Sequence, residues 1–199
     1  MSATNAPFGL RPAFHPSGLD RAQALANGIQ AVSTSGNISA GYATTILKNQ
    51  PVKYDPAGYI VVAAAGDAFV GAFSGVEWTD GTGRRRVSNY WPANESFFTG
   101  SVVAYFYNDP NIVYEIQSDA TIAQTSLNAQ FDFANITAGS TTTGLSQARL
   151  GVSTITTTAV AQLRVVDIAP YPDNAWGDAF VIVRVTISEH QNVANINAY

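Results

Sequence analysis

The 199-residue sequence predicts an all-β fold, a jelly-roll or barrel-like sandwich with an extended N-terminal arm. Three observations predict it. β-branched and aromatic residues gather in short runs of strand length rather than at helical spacing. Asn, Asp, Pro and Gly punctuate those runs, as turn formers do. Most clearly, the stretch 100–117 reads GSVVAYFYNDPNIVYEIQ, two β-favouring runs around Asn108-Asp109-Pro110-Asn111. Pro110 presets φ for a turn and pushes Asp109 extended, so the stretch predicts a hairpin. In its second arm Ile112, Tyr114 and Ile116 alternate with Val113 and Glu115, which places one face in the core. Its first arm is apolar on both faces, as for a strand covered on two sides.

The other elements follow in chain order. Residues 1–18 carry Pro7, Pro12 and Pro16 with Gly9 and Gly18, a spacing that forbids a regular helix or central strand. Phe8, Leu10, Arg11 and Phe14 are nevertheless not linker residues, so the segment reads as an arm lying on a surface, that of another chain in preference to its own domain. Extended, it spans about 50 Å. Asp20 to Val32 holds a short helix-like piece (DRAQALA) with Asn27-Gly28 as its cap. Strands are expected at Ile46-Leu47, at Pro51 to Tyr54, and at Tyr59 to Ala64 after an Asp55-Pro56-Ala57-Gly58 turn. A long one runs from Ala68 to Trp78, where Gly71 and Gly75 suggest bulges. Thr79 to Arg86 reads as a polar loop and Val87 to Trp91 as a strand. Ala120 to Ala134 has no clean period, and Ser140 to Gly144 is a threonine loop. Ala159 to Ile168 and Ala179 to Ile187 are the last strands, with Val181, Val183, Val185 and Ile187 on one apolar face. The arm at 1–18 and a single β domain at 19–199 make up the organisation.

Composition narrows the function. Charged residues are 12% of the chain, about half the usual share, which suits a protein whose surface is covered by partners as well as it suits a Thr-rich β protein. A net charge of −4 gives no general attraction to nucleic acid or an anionic membrane. The chain has no cysteine, so disulfides, thiol chemistry and Cys-based zinc sites are excluded. No stretch approaches the length of a membrane helix, and MSATNAPFGLRPAFHPSG lacks the pattern of a signal peptide, so synthesis in a cytoplasm is expected.

Catalytic patterns are missing. His15 lies in the arm, and His190 follows Glu189 at the end of the last strand as a surface histidine, outside any HExxH spacing. There is no GxSxG elbow, and Gly81-Thr82-Gly83-Arg84 lacks the Lys-Ser/Thr of a phosphate loop. Asp55, Asp67, Asp80, Asp109, Asp119 and Asp173 are spaced like turn formers, not like paired catalytic carboxylates or a calcium loop. The expectation is no catalytic residue, no metal and no cofactor. Arg84, Arg85 and Arg86 form the one charge cluster, suited to carboxylates of a protein partner, or else to a solvated loop tip.

Several stretches together resemble a family of tailed-phage capsid decoration, or cement, proteins. Asn5-Ala6-Pro7-Phe8-Gly9-Leu10-Arg11-Pro12 is similar to that family's N-terminal arm. Ala64-Ala65-Gly66-Asp67 with Gly71-Ala72-Phe73 is similar to its first core strand, and Asp109-Pro110-Asn111 with Tyr114-Glu115-Ile116-Gln117 to its central hairpin. Pro172-Asp173-Asn174, then Val183-Arg184-Val185 with His190-Gln191, resemble its C-terminal end. The order of these marks from residue 5 to 191 carries the resemblance; Ala120 to Thr158 has no counterpart. The resemblance implies a virion protein on the outer capsid surface that clamps neighbouring major capsid subunits. It also implies a homo-oligomer, trimer in preference to dimer, with no membrane and no direct nucleic acid contact. The capsid contacts then expected are Phe8, Leu10, Arg11, Pro12 and Phe14, with Arg84, Arg85 and Arg86 second. Two alternatives remain: another virion part, such as a head-fibre base or tail protein, and a carbohydrate-binding module stacking sugars on Tyr42, Tyr59, Tyr90 or Trp91.

Overall fold

The computed structural model describes residues 4–18, 26–30, 38–157 and 159–194. In chain order the strands are β1 (Arg11–Phe14), β2 (Ala26–Gln30), β3 (Pro51–Tyr54), β4 (Ile60–Val62), β5 (Gly71–Thr79), β6 (Arg85–Ser88), β7 (Val103–Tyr107) and β8 (Val113–Gln117). Then come the short β9 (Gln130–Phe131), β10 (Phe133–Ala134), β11 (Gly139–Ser140), β12 (Leu145–Ser146) and β13 (Arg149–Leu150), and the longer β14 (Leu163–Ile168) and β15 (Ile182–Ile187). Among the described residues only two single 3₁₀ turns are helical. The expected all-β class is what the chain forms.

Two antiparallel sheets organise it in a sandwich-like arrangement. The first has the order β1-β8-β15-β14-β9; the second runs β2-β7-β5-β3-β4, with β6 on β5. Each sheet has its own apolar core. Leu10, Phe69, Tyr114, Ile116, Phe131, Leu163, Val183 and Val185 belong to one. Val52, Val70, Phe73, Trp78, Trp91 and Phe106 belong to the other, where Trp91 meets Trp78 and Phe97 edge to face. Each fully buried Phe or Leu contributes about 1.5–3 kcal/mol.

The predicted central hairpin is corrected by the pairing. Its two strands and its turn exist, and Asp109 Oδ1 accepts the Asn111 N–H at 2.8 Å. Yet β7 lies between β2 and β5, whereas β8 lies between β1 and β15. The turn therefore carries the chain from one sheet to the other. Both strands are apolar enough to be interior strands, and each gains two hydrogen-bonded neighbours in this way; β8 is buried at all five positions. Gly71 makes the crossing possible. Its φ is 150°, and a Cβ there would lie 1.7 Å from the Tyr107 carbonyl oxygen.

Other expectations meet the structure one by one. β3 and β4 pair as a hairpin whose turn is held by Asp55 Oδ1, which accepts the N–H groups of Ala57 and Tyr59. The β5–β7 register shifts between Phe73 and Gly75, as a bulge at Gly75 requires. β14 and β15 pair, with Val183, Val185 and Ile187 buried. Asn27-Gly28, expected to cap a helix, instead lies within β2 opposite Phe106 and Tyr105. The DRAQALA piece lies outside the described residues. The Ala120–Thr158 passage supplies β9 to β13 and buries Ile122, Phe131, Phe133 and Leu150 in the first core.

Candidate functional site

Two surfaces carry the residues that the sequence singles out. The first is built by the N-terminal segment, which lies along the edge of the first sheet of its own domain. Gln117, 1% exposed, accepts the Ala6 N–H at 2.9 Å and donates to the Thr4 carbonyl at 2.9 Å. Asn49 donates to the Phe8 carbonyl and accepts, through its own carbonyl, the Leu10 N–H at 2.8 Å. Gly9 is needed there: at φ 75°, a Cβ would sit 2.5 Å from the Asn49 oxygen. Arg11 to Phe14 then pair with β8.

Glu115 is the centre of this surface. Its Oε2 accepts from Arg11 Nη2 at 2.6 Å and from the Tyr171 hydroxyl at 2.7 Å, and Arg184 Nε lies 3.8 Å from Oε1. The Arg11 guanidinium covers the Phe8 ring at 4.4 Å, and that of Arg184 the Phe14 ring at 5.0 Å. Burial, then the bond to Glu115, raises the Tyr171 pKa. Of the expected contact residues, Phe8, Arg11, Pro12 and Phe14 are half-buried. Leu10 is fully buried in the first core, so its side chain anchors the segment to its own domain and is not offered to another chain. The arm expected to reach outward is thus an edge strand in the single chain.

The second surface is the β5–β6 hairpin, expected as a loop. Arg85 and Arg86 are in fact on β6, opposite Thr79 and Trp78. Asp80 organises the turn: Oδ1 accepts from the Thr82 hydroxyl at 2.6 Å and from the N–H groups of Thr82 and Arg84, and Oδ2 accepts from Arg86 Nε at 2.7 Å. These bonds, the Thr82 hydroxyl first, hold its carboxyl well below the usual range. Arg85 donates to Glu77, which also accepts from the Tyr105 hydroxyl; the Arg85 bond lowers the Glu77 pKa. Arg84 alone of the three has no carboxylate partner among the described residues. On the same hairpin Val87 is 75% exposed, and Phe98, next to Gly83 of the turn, is 53% exposed.

The histidines part from expectation in one respect. His15 Nε2 lies 3.5 Å from Asp109 Oδ2. His190 is not a surface residue but is 1% exposed, and its backbone bridges to Phe69, two residues before β5; burial lowers its pKa. The expected turn role of the aspartates holds for Asp55, Asp67, Asp80 and Asp109, while Asp119 reaches across to the Val152 N–H. Among the described residues no three His, Asp or Glu groups come together as a metal site would need. Trp91, proposed as a sugar platform, is fully buried, and the Tyr42 hydroxyl accepts the Val62 N–H.

Sequence reasoning missed Glu115, Tyr171, Arg184, Gln117 and Asn49. The available signal was a lone glutamate in an otherwise apolar, fully strand-like run, which demands buried partners. No protein-family model matches the chain, and neither curated protein sequences nor solved structures give a match.

Proposed function

We propose that the protein is a structural virion component that binds the outer surface of a phage capsid and cements neighbouring major capsid subunits, as a homo-oligomer and without catalysis. The observation that carries this reading is the ordered series of short motifs from Asn5 to Gln191, similar to capsid decoration proteins. The β5–β6 hairpin supports it. It exposes Val87 and, next to its turn, Phe98, and carries Arg84, which has no carboxylate partner among the described residues, a composition suited to an acidic and apolar protein surface. Several such tips in an oligomer multiply modest contacts into firm binding.

Co-sedimentation with mature, undecorated capsids tests it. Saturable binding is expected, weakened roughly tenfold or more by Arg84→Glu or Phe98→Asp, since each removes a contact worth about 1.5 kcal/mol. Folded protein that stays in the supernatant refutes capsid binding. Sedimentation unaffected by both substitutions moves the contact to Phe8, Arg11, Pro12 and Phe14.

A further inference from the structure

A cavity of about 240 Å³ opens between the N-terminal segment and the β8–β15 pair. Thr4, Ala6 and Phe8, alternate residues of an extended segment, form one wall; Gln117 and Ile182, paired across β8 and β15, form another. Arg11 and Tyr171 close one end. Its volume is below the roughly 300–1,000 Å³ of drug-sized sites and suits one ring or branched chain.

The chemistry of the closed end is asymmetric. Arg11 Nη2 serves both Glu115 and the Tyr171 hydroxyl, while Nη1 and Nε have no acceptor among the described residues. The Arg11 side chain lines the cavity and is 42% exposed. Two arginines, Arg11 and Arg184, share the single Glu115 carboxylate, which leaves the cluster one positive charge in excess. Ala6, the Phe8 ring and Ile182 supply an apolar lining, and Gln117 fixes the wall through its bonds to Thr4 and Ala6. A guanidinium with free N–H groups at the end of an apolar slot is the arrangement that recognises a carboxylate carried on an apolar group.

We infer that this cavity binds a carboxylate joined to a phenyl-sized apolar group, with the carboxylate on Arg11 and the apolar part against Phe8 and Ile182. The site goes beyond capsid binding and stands whether or not the protein sits on a shell. Two sources share the chemistry: a free aromatic acid and the C-terminal aromatic residue of a polypeptide.

The test is a titration of the full chain with phenylacetate, phenylacetamide and acetate, followed by amide chemical shifts. Phenylacetate is expected to saturate with shifts at Ala6, Gln117 and Ile182, and the amide and acetate to bind roughly tenfold or more weakly, each lacking one half of the recognition. Ala6→Leu, at an exposed position away from Glu115, fills the slot and is expected to abolish binding with the spectrum otherwise intact. Arg11→Gln is expected to remove the preference for the acid over the amide. Equal binding of all three probes, no saturation, or a phenylacetate site unmoved by Ala6→Leu overturns the inference. With the site upheld, N-acetyl-glycyl-phenylalanine separates the sources: binding tighter than phenylacetate assigns a chain end, and equal or weaker binding a free acid.

Discussion

The N-terminal segment and the β5–β6 hairpin use the same chemistry, arginine against carboxylate, to opposite ends. Glu115 is buried, and its partners Arg11 and Tyr171 come from segments 104 and 56 residues away. Among the described residues the Asp80 carboxylate takes its hydrogen bonds from the next six residues, Thr82, Arg84 and Arg86. The first carboxylate therefore ties distant parts of the fold together, and the second shapes one turn. Both carboxylates are 6% exposed, so the contrast lies in their partners. Arg86 beside Asp80 is 52% exposed and water screens that pair, whereas Glu115 also holds the more shielded Arg184. The difference teaches that a cluster of arginines marks an outward-facing surface only where its carboxylates are local.

The largest effect should come from breaking the long-range member of the pair. Glu115→Ala leaves Arg11 and Arg184 facing a vacated, largely buried position and is expected to cost about 3 kcal/mol, read as a lowered urea midpoint. Hydrogen exchange at Leu10 to Phe14 should accelerate with it. A loss below about 1 kcal/mol would show that Leu10 and the β1–β8 pairing hold the segment without the ion cluster.

Acidity separates the His190 bridge from the hairpin next. Burial depresses the folded-state pKa of His190, against the opposing pull of the Asp109 charge and the backbone bonds at Val70 and Asn108. The unfolded imidazole then binds its proton first, so stability is fully present above the ordinary histidine value of about 6.5 and falls as pH drops toward the folded value, by at most about 1.4 kcal/mol per pH unit. Asp80 and Glu77 are depressed carboxylates, whose contribution is present above about pH 4 and lost only below it. Between pH 7 and 5 the sheet crossing should weaken while the hairpin stays intact, and His190→Gln should flatten the slope. A slope unchanged by that substitution would remove His190 from the account.

The smallest effect belongs to the local member. Asp80→Asn is expected to lower the urea midpoint by less than Glu115→Ala does, while the amides of Thr82 and Arg84 lose exchange protection. A loss as large as that of Glu115→Ala would show that the turn supports the second core through Arg86 and Trp78 and that the two carboxylates play the same part.

Much of the architecture was legible because it rests on local chemistry. The Asp55 turn, the bulge at Gly75, the threonine loop closed between β11 and β12, and the one-faced pattern of β15 each follow from residues within a few positions of one another. The candidate contacts were legible as residue types but not as places. Leu10 and Phe14 look alike in a proline-rich segment, and only packing puts the first in the core and the second under Arg184. His190 looked exposed because strand ends usually are; its bridge to Phe69 is 121 positions away in sequence.

By itself the sequence determined that the chain is β, where most strands begin and end, and which residues turn, since propensity and φ restriction act over two to four residues. Which strands pair was decided by the tertiary structure. The Asn108–Asn111 turn fits a hairpin as well as a crossing, and no local signal distinguishes them. Only the supply of partners does: β2 and β5 for β7, β1 and β15 for β8. Hydrogen bonding and burial on both sides of each strand outweigh the ease of closing a short loop, because closure entropy changes slowly with loop length while every unpaired interior strand edge costs several hydrogen bonds.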